Sequence, residues 1–358
     1  MANSPQWKMS GYIDILERVA AGREVAKGDL ARLIQWAEDG AVAYAGGLAR
    51  EVTEQHFGRG VFLRGLVEIG SHCTGGCYYC GLRAENRALV RYELSSEEII
   101  ASCREGYALG FRSFVLQGGE RHDRMDSVAD VVRQIKHEMP LVAVTLSLGE
   151  QSRECYEEWR KAGADRYLLR HETASREHYE RLHPSRMKYD NRLRCLADMR
   201  NLGYQIGAGF MVGSPYQGAE ELAGEIEFLG DLRPEMVGIG PFLPQSATPF
   251  AEMKAGSVNR TLLMISLVRL TLPKALIPAT TALASSDEDG TVRGIMAGSN
   301  VVMPNLTPLR YRAGYAIYDG KKTIGSEAAE GIDILSELLH KVGREAIMSR
   351  GDHPDFVL

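Results

Sequence analysis

The segment Ser71-His72-Cys73-Thr74-Gly75-Gly76-Cys77-Tyr78-Tyr79-Cys80 carries three of the chain's six cysteines, at C-x3-C-x2-C spacing. A thiolate is a nucleophile and a soft metal ligand, and three this close in sequence can converge on one object. Gly75 and Gly76 leave the backbone free to wrap tightly between them. Two inorganic groups compete for such a loop. Tetrahedral zinc wants four ligands, usually as two separated pairs, and Cys103, Cys155 and Cys195 are scattered singly. His72 offers a fourth ligand, although its adjacency to Cys73 makes shared chelation awkward. A [4Fe–4S] cube held by three thiolates leaves one iron without a protein ligand, and an open metal position is a catalytic design.

Other polar residues directly follow β-rich runs: Gln117-Gly118-Gly119-Glu120, Ser147-Leu148-Gly149-Glu150, Arg170-His171-Glu172-Thr173, Thr280-Thr281, and Asn305 with Thr307. Paired glycines beside Glu120 allow close backbone approach next to a carboxylate, or make a plain turn. Arg170 and Glu172 also read as a structural ion pair, and Thr280-Thr281 as a strand end.

The elements that would position these groups follow from periodicity. Strand candidates are Leu66–Ile69, Ser113–Gln117, Val142–Ser147, Arg166–Arg170, Gln205–Val212, Met236–Gly240, Ala275–Thr280 and Asn300–Met303. Helical patterns separate them, among them Ser96–Leu109, which Ser95 and Glu98 open as a capping box, and Thr261–Leu270. Strict alternation implies a parallel sheet, since parallel neighbours need a crossover. The expected fold is α/β, a (β/α)8 barrel of TIM type, with an open doubly wound sheet as the alternative. N-terminal helices and a C-terminal helix, Gly331–Val342, are expected outside it. The division reads 1–60 helical extension, 61–325 barrel, 326–358 C-terminal helix and tail. Barrel chemistry sits at the C-terminal strand ends, where the polar residues gather.

Composition fits a globular protein: 358 residues, 44% hydrophobic and 25% charged. With 42 basic and 47 acidic residues the net charge is −5, so no basic surplus argues for nucleic acid or an anionic membrane. No apolar run reaches the ~20 residues of a membrane span. Six cysteines are too sparse for a disulfide scaffold, and the first residues lack a signal peptide's apolar core. A cytoplasmic protein is expected.

With Tyr79 in its aromatic slot, the cysteine motif resembles that of the radical S-adenosylmethionine (SAM) superfamily. The resemblance implies one [4Fe–4S] cluster on Cys73, Cys77 and Cys80, binding SAM and releasing a 5′-deoxyadenosyl radical. Gly118-Gly119-Glu120 matches the segment that receives the methionine ammonium. From about Arg64 to Tyr318 the chain further resembles the HydE family of [FeFe] hydrogenase maturases. Matching blocks include Thr145-Leu-Ser-Leu-Gly-Glu150, Ala164–Ala174, Val237–Phe242, Ile277-Pro-Ala-Thr-Thr281 and Asn300–Asn305. By that resemblance Glu172 binds the ribose hydroxyls, Arg192 holds the methionine carboxylate, and Ser147 and Arg170 line the SAM pocket. Thr280, Thr281, Asn305, Tyr315 and Tyr318 would face a second substrate, helical packing being the other reading for the two tyrosines. His171 is expected to orient its neighbours rather than transfer protons. The resemblance also implies an organometallic substrate, an iron–cysteine complex with CO and cyanide, together with partner maturases and a reductant.

There is one departure. Some members carry further C-terminal cysteines for an auxiliary cluster, whereas no cysteine follows Cys195 here. Three rivals remain open. An amino-acid mutase such as 3-methylornithine synthase would want an acid just after the seventh strand, where none occurs before Asp287. A biotin-synthase-like enzyme would need more cysteine ligands along the barrel. A non-catalytic iron–sulfur or zinc protein would leave Glu120, Glu172 and Arg192 without purpose.

Overall fold

Nine strands are found in the computed structural model, which describes residues 5–36, 39–322 and 329–356. They are β1 (Gly60–Leu63), β2 (Gly65–Gly70), β3 (Ser113–Gly118), β4 (Ala143–Ser147), β5 (Arg166–Leu168), β6 (Gln205–Val212), β7 (Met236–Pro241), β8 (Val301–Val302) and β9 (Glu345–Ile347). β2 to β7 form one parallel sheet in sequence order, with helices in the crossovers. Beyond β7, backbone bonds complete a ring: Val237 N to Leu276 O (3.0 Å), Ala279 N to Val301 O (2.9 Å) and Leu66 N to Pro304 O (2.9 Å). The eighth strand thus returns to the first, and the sheet curls into a barrel.

Two expected strands are thinner than their patterns suggest. Ala275–Thr280 makes only isolated bridges, at Leu276 and Pro278, and Asn300–Met303 keeps just β8 plus a bridge at Asn305. Pro278 and Pro304 have no N–H to give the ladder, so pairing is interrupted there. β1 and β9 were not expected; β1 lies between β8 and β9 and extends the sheet at the barrel's lower edge.

The capping box at Ser95 and Glu98 is present and opens helix Ser96–Ala108. The helix Val258–Thr271 is buried on every face rather than amphipathic, residues 261 to 270 all being inaccessible, with Ser266 and Arg269 bonded to backbone carbonyls. One side packs on the barrel, while helix Asp39–Phe57 covers the other through Ala41, Ala45, Ala49 and Thr53. Those small residues, four apart, form a stripe that lets the two helices approach closely. No described helix is long and apolar enough to cross a membrane.

Residues 350–353 close the N-terminal end of the barrel. Arg166, fully buried on β5, donates to Arg350 O (2.7 Å) and to Asp352 (2.5 Å), and Gln205 also donates to Asp352 (2.8 Å). Burial alone would raise the Asp352 carboxyl, but Arg166 and the bonds from Arg350 and Gln205 outweigh it and hold it at about 2. A depressed carboxylate contributes stability above its ordinary range near 3.9, and loses it as pH falls toward the folded value. The Asp352→Asn protein is therefore expected to be about 2 kcal/mol less stable in denaturant titrations at pH 7. The gap to the parent should narrow between pH 4 and pH 2.

Candidate active site

The loop after β2 is fixed from several sides. Thr74 N donates to Glu120 O (2.9 Å), Ala84 N to Gly75 O (2.7 Å), Tyr78 N to Leu182 O (2.9 Å) and Gly81 N to Ile317 O (3.0 Å). Cys73, Cys77 and Cys80 are half-buried on this loop. The amides of Gly75 and Glu120 each donate to Cys73 Sγ at 3.3 Å. Burial pushes all three thiols up, Cys80 to about 12, and those two amides oppose it at Cys73. Such thiols ionise on meeting a cationic metal group, and N–H donors then stabilise the sulfur charge. Among the described residues no three His, Cys, Asp or Glu side chains are grouped to hold a single metal ion. Three thiols on one loop, one of them served by two amide donors, fit a cluster that gives each its own iron. Tyr79 turns toward His183, its hydroxyl 3.2 Å from Nε2.

Gly119 is needed where β3 meets this loop. A Cβ there would collide with the His72 carbonyl and lie 2.8 Å from Cys73 Cβ. Gly118, just before it, ends β3 beside Ile69 and Leu148. Glu120 then points inward, and its Oε2 accepts from Glu150 N (2.7 Å). Gly149, at φ +75°, leaves the space this carboxylate occupies. Burial pushes the Glu120 carboxyl up, opposed by the Glu150 amide and the Arg192 charge. A buried carboxylate so placed is complemented by a cation. A cleft of about 610 Å³, with Thr74, Gly75, Glu120 and Asn191 in its walls, opens to solvent beside it.

Arg192 is buried on helix Tyr189–Asn201. Its Nε lies 2.7 Å from Glu150 Oε1, out of line for a hydrogen bond, and Nη1 donates to Arg170 O (3.2 Å). Asn191 bonds the other Glu150 oxygen. Glu150 thus positions Arg192 from one edge, a role its sequence place at a strand end did not reveal. Arg170 Nη2 and Glu172 Oε2 stand 3.3 Å apart, again without hydrogen-bond alignment, so both keep a buried polar atom unsatisfied. Orphaned polar atoms of opposite charge on one wall suit a ligand that is itself polar.

Glu172 has φ +70°, which costs a non-glycine residue about 1–3 kcal/mol. Its neighbour explains how this is sustained. His171 Nδ1 accepts from Gly209 N (3.1 Å), so the ring proton is on Nε2, which donates to Glu225 Oε2 (2.7 Å). Glu225 Oε1 accepts from Ala174 N (2.8 Å), and both side chains are fully buried. His171 orients the turn, as expected; Glu225 carried no sequence signal of its own.

Strand alternation builds the chamber below. Val115, Thr145, Leu168, Pro278, Val301 and Met303 line a remnant cavity of about 20 Å³, so the barrel is filled at this level. Two residues further along the strands the next inward layer holds Glu68, Gln117, Ser147, Arg170, Thr280 and Asn305. Ser147 ends β4 opposite Gln117. Thr280 donates to Ile239 O (3.2 Å), and Thr281 starts helix Thr281–Ser286. Asn305 is engaged with Glu68 (3.1 Å) and the Thr307 amide (2.8 Å). Tyr315 is buried, its hydroxyl accepting from Gln117 (3.2 Å), and Tyr318 is half-buried in the same non-helical run, so helical packing explains neither. Sequence reasoning missed Glu68, although a lone acid inside Gly65–Gly70 was a usable signal. Nothing marked its partner Lys321.

Residues 67–229 match the Radical SAM superfamily. The [FeFe] hydrogenase maturase subunit HydE of Thermotoga maritima is 42% identical over 299 residues, 83% of this chain and 85% of that protein. The chain belongs to the HydE family of radical SAM enzymes. The superfamily's cofactors are a [4Fe–4S] cluster and SAM, which agrees with the donor set on the cysteine loop. A 3-methylornithine synthase of Methanosarcina acetivorans is 29% identical over 309 residues, 85% of this chain and 86% of that one. The crystal structure of methylornithine synthase (PylB) superposes with a TM-score of 0.82 at 26% identity, over 93% of this chain and 97% of that chain. HydG, another maturase of the [FeFe] hydrogenase, shares the HydE fold with a TM-score of 0.77 at 18% identity, over 95% of this chain and 76% of that chain.

Proposed function

We propose that this HydE-family enzyme acts in assembly of the [FeFe] hydrogenase active-site cofactor, on an iron-bound substrate carrying CO, cyanide and cysteine. The observation that carries the reading is the 42% identity to the maturase subunit. In this reading Cys73, Cys77 and Cys80 hold the cluster. The cluster and SAM, when bound, supply an electron and a 5′-deoxyadenosyl radical. Gly118, Gly119 and Glu120 receive the methionine ammonium, and Arg192, steadied by Glu150, takes the carboxylate as a guanidinium fork can. Glu172 accepts from the ribose hydroxyls, with Tyr79, Ser147 and Arg170 around the same pocket. Thr280, Thr281, Asn305, Tyr315 and Tyr318 enclose the second substrate. The apolar floor below them excludes water from the reacting centre.

The charge pattern also supports this over an amino-acid mutase. A free lysine ammonium would want a carboxylate, yet Asp287 is paired with Arg293 and Glu68 with Lys321. The remaining groups of the inward layer are Gln117, Ser147, Thr280, Asn305 and the cationic Arg170. Partner maturases that deliver the iron complex, a protein reductant and a cytoplasmic setting complete the proposal. So does the division into 1–60, 61–325 and 326–358, whose second boundary lies outside the described residues. One cluster is proposed, since no cysteine follows Cys195; most of the segment that replaces the auxiliary cysteines also lies outside the described residues.

The test is add-back of the purified protein to extracts each lacking one maturase. Active hydrogenase is expected only in the extract lacking its HydE-type component. No restoration there, together with turnover of lysine, would replace this reading with the mutase.

A further inference from the structure

Residues 313–322 cross the mouth of the barrel without forming a helix. Their rim contacts are ordinary: Ile317 O accepts from Gly81 N (3.0 Å), Asp319 N donates to Pro244 O (3.2 Å), and Lys322 N donates to Ser285 Oγ (3.0 Å). The deepest contact is ionic. Lys321 Nζ bonds Glu68 Oε1, on the inward face of β2, and lies 4.9 Å from the centre of the Tyr315 ring. The Glu68 side chain is fully buried and that of Lys321 only 9% exposed. Asn305 Nδ2 holds the other Glu68 oxygen (3.1 Å), and Gln117 holds the Tyr315 hydroxyl (3.2 Å).

This pair differs from the surface ion pairs in what it joins. One partner is fixed in a barrel strand, and the other lies in a loop whose other anchors, apart from the Tyr315–Gln117 bond, are at the rim. Taking two charges out of water offsets most of their attraction, so what such a pair adds is modest, on the order of tenfold in the closed-to-open ratio. When such a loop lifts, both charges regain water, and the closed and open arrangements lie close in free energy. That is a poor rivet and a good clasp.

We propose that Lys321 and Glu68 are positioning residues, the clasp of a strap that shuts the barrel mouth and sets Tyr315 and Gln117 in the chamber wall. The proposal rests on the reading above that a second substrate reacts beneath the strap. The strap also holds the end of the cysteine loop through the Gly81 N to Ile317 O bond, so strap exchange and hydrogenase maturation, rather than SAM cleavage, read the clasp.

The variants Lys321→Met, Glu68→Gln and the double variant are compared by hydrogen–deuterium exchange on the full chain. Exchange of the Ile317, Asp319 and Lys322 amides is expected to quicken about tenfold in all three, while β6 amides keep their parent rates. The double variant is decisive, because it folds without an unpaired buried charge. If its strap amides exchange at the parent rate, the clasp is overturned and the single-variant effects are those of an orphaned charge. Hydrogenase maturation in extract should fall about tenfold. Faster strap exchange with full maturation would uphold the clasp and overturn the placement of the second substrate beneath it.

Discussion

The Cys77→Ala protein, reconstituted anaerobically with iron and sulfide, is expected to yield no 5′-deoxyadenosine above background from SAM. Three thiols share one loop, and among the described residues no His, Cys, Asp or Glu completes a metal-binding group with them. Cys77 Sγ also meets Met187 Sδ at 4.0 Å, a neutral thioether that cannot supply the missing charge. Cys73→Ala and Cys80→Ala should behave alike, with iron content falling in each. Cys103, Cys155 and Cys195 are buried elsewhere as single thiols, so their alanine variants should retain cleavage. Full activity in Cys77→Ala would remove the cluster from this loop, and the radical chemistry with it.

The second large effect is expected at a residue that touches no ligand in any reading. His171→Leu takes the Nε2–H donor from the fully buried Glu225 carboxylate and leaves it only the Ala174 amide, and losing a buried hydrogen bond to a charged group costs about 1.5–3 kcal/mol. Urea or thermal unfolding should show that loss. SAM binding should weaken as well, by about tenfold, because the same contact holds the turn in which Glu172 keeps its positive φ. The double variant His171→Leu with Glu225→Leu separates the two effects. It no longer buries a carboxylate short of a donor, so most of the stability should return. Gly209 N still lacks its partner and Ala174 N now loses its own, so the SAM affinity should not. Recovery of both would mean that the pair has no part in shaping the Glu172 turn.

The local chemistry was legible in the sequence because it depends on short separations. Three cysteines within one loop, paired glycines before Glu120 and a capping box at Ser95 act within a few residues of themselves. Strand and helix periodicity placed the polar segments at one rim, and the barrel keeps them there. Pattern reading went astray where backbone donors were missing, at Pro278 and Pro304, and where a helix had two neighbours instead of one. Residues 261–270 are buried all round because a second helix layer covers their outer face.

The pairs that finish the site are of another kind. Lys321 meets Glu68 across 253 positions, His171 meets Glu225 across 54, and Arg166 meets Asp352 across 186. The sequence by itself determined which elements form, which thiols share a loop and which ends of the strands carry the chemistry. Only the closed barrel decided which charges are neutralised and which stay free for a ligand. Closure fixes the register between the first and last strands, and that register selects which inward side chains come within bonding distance.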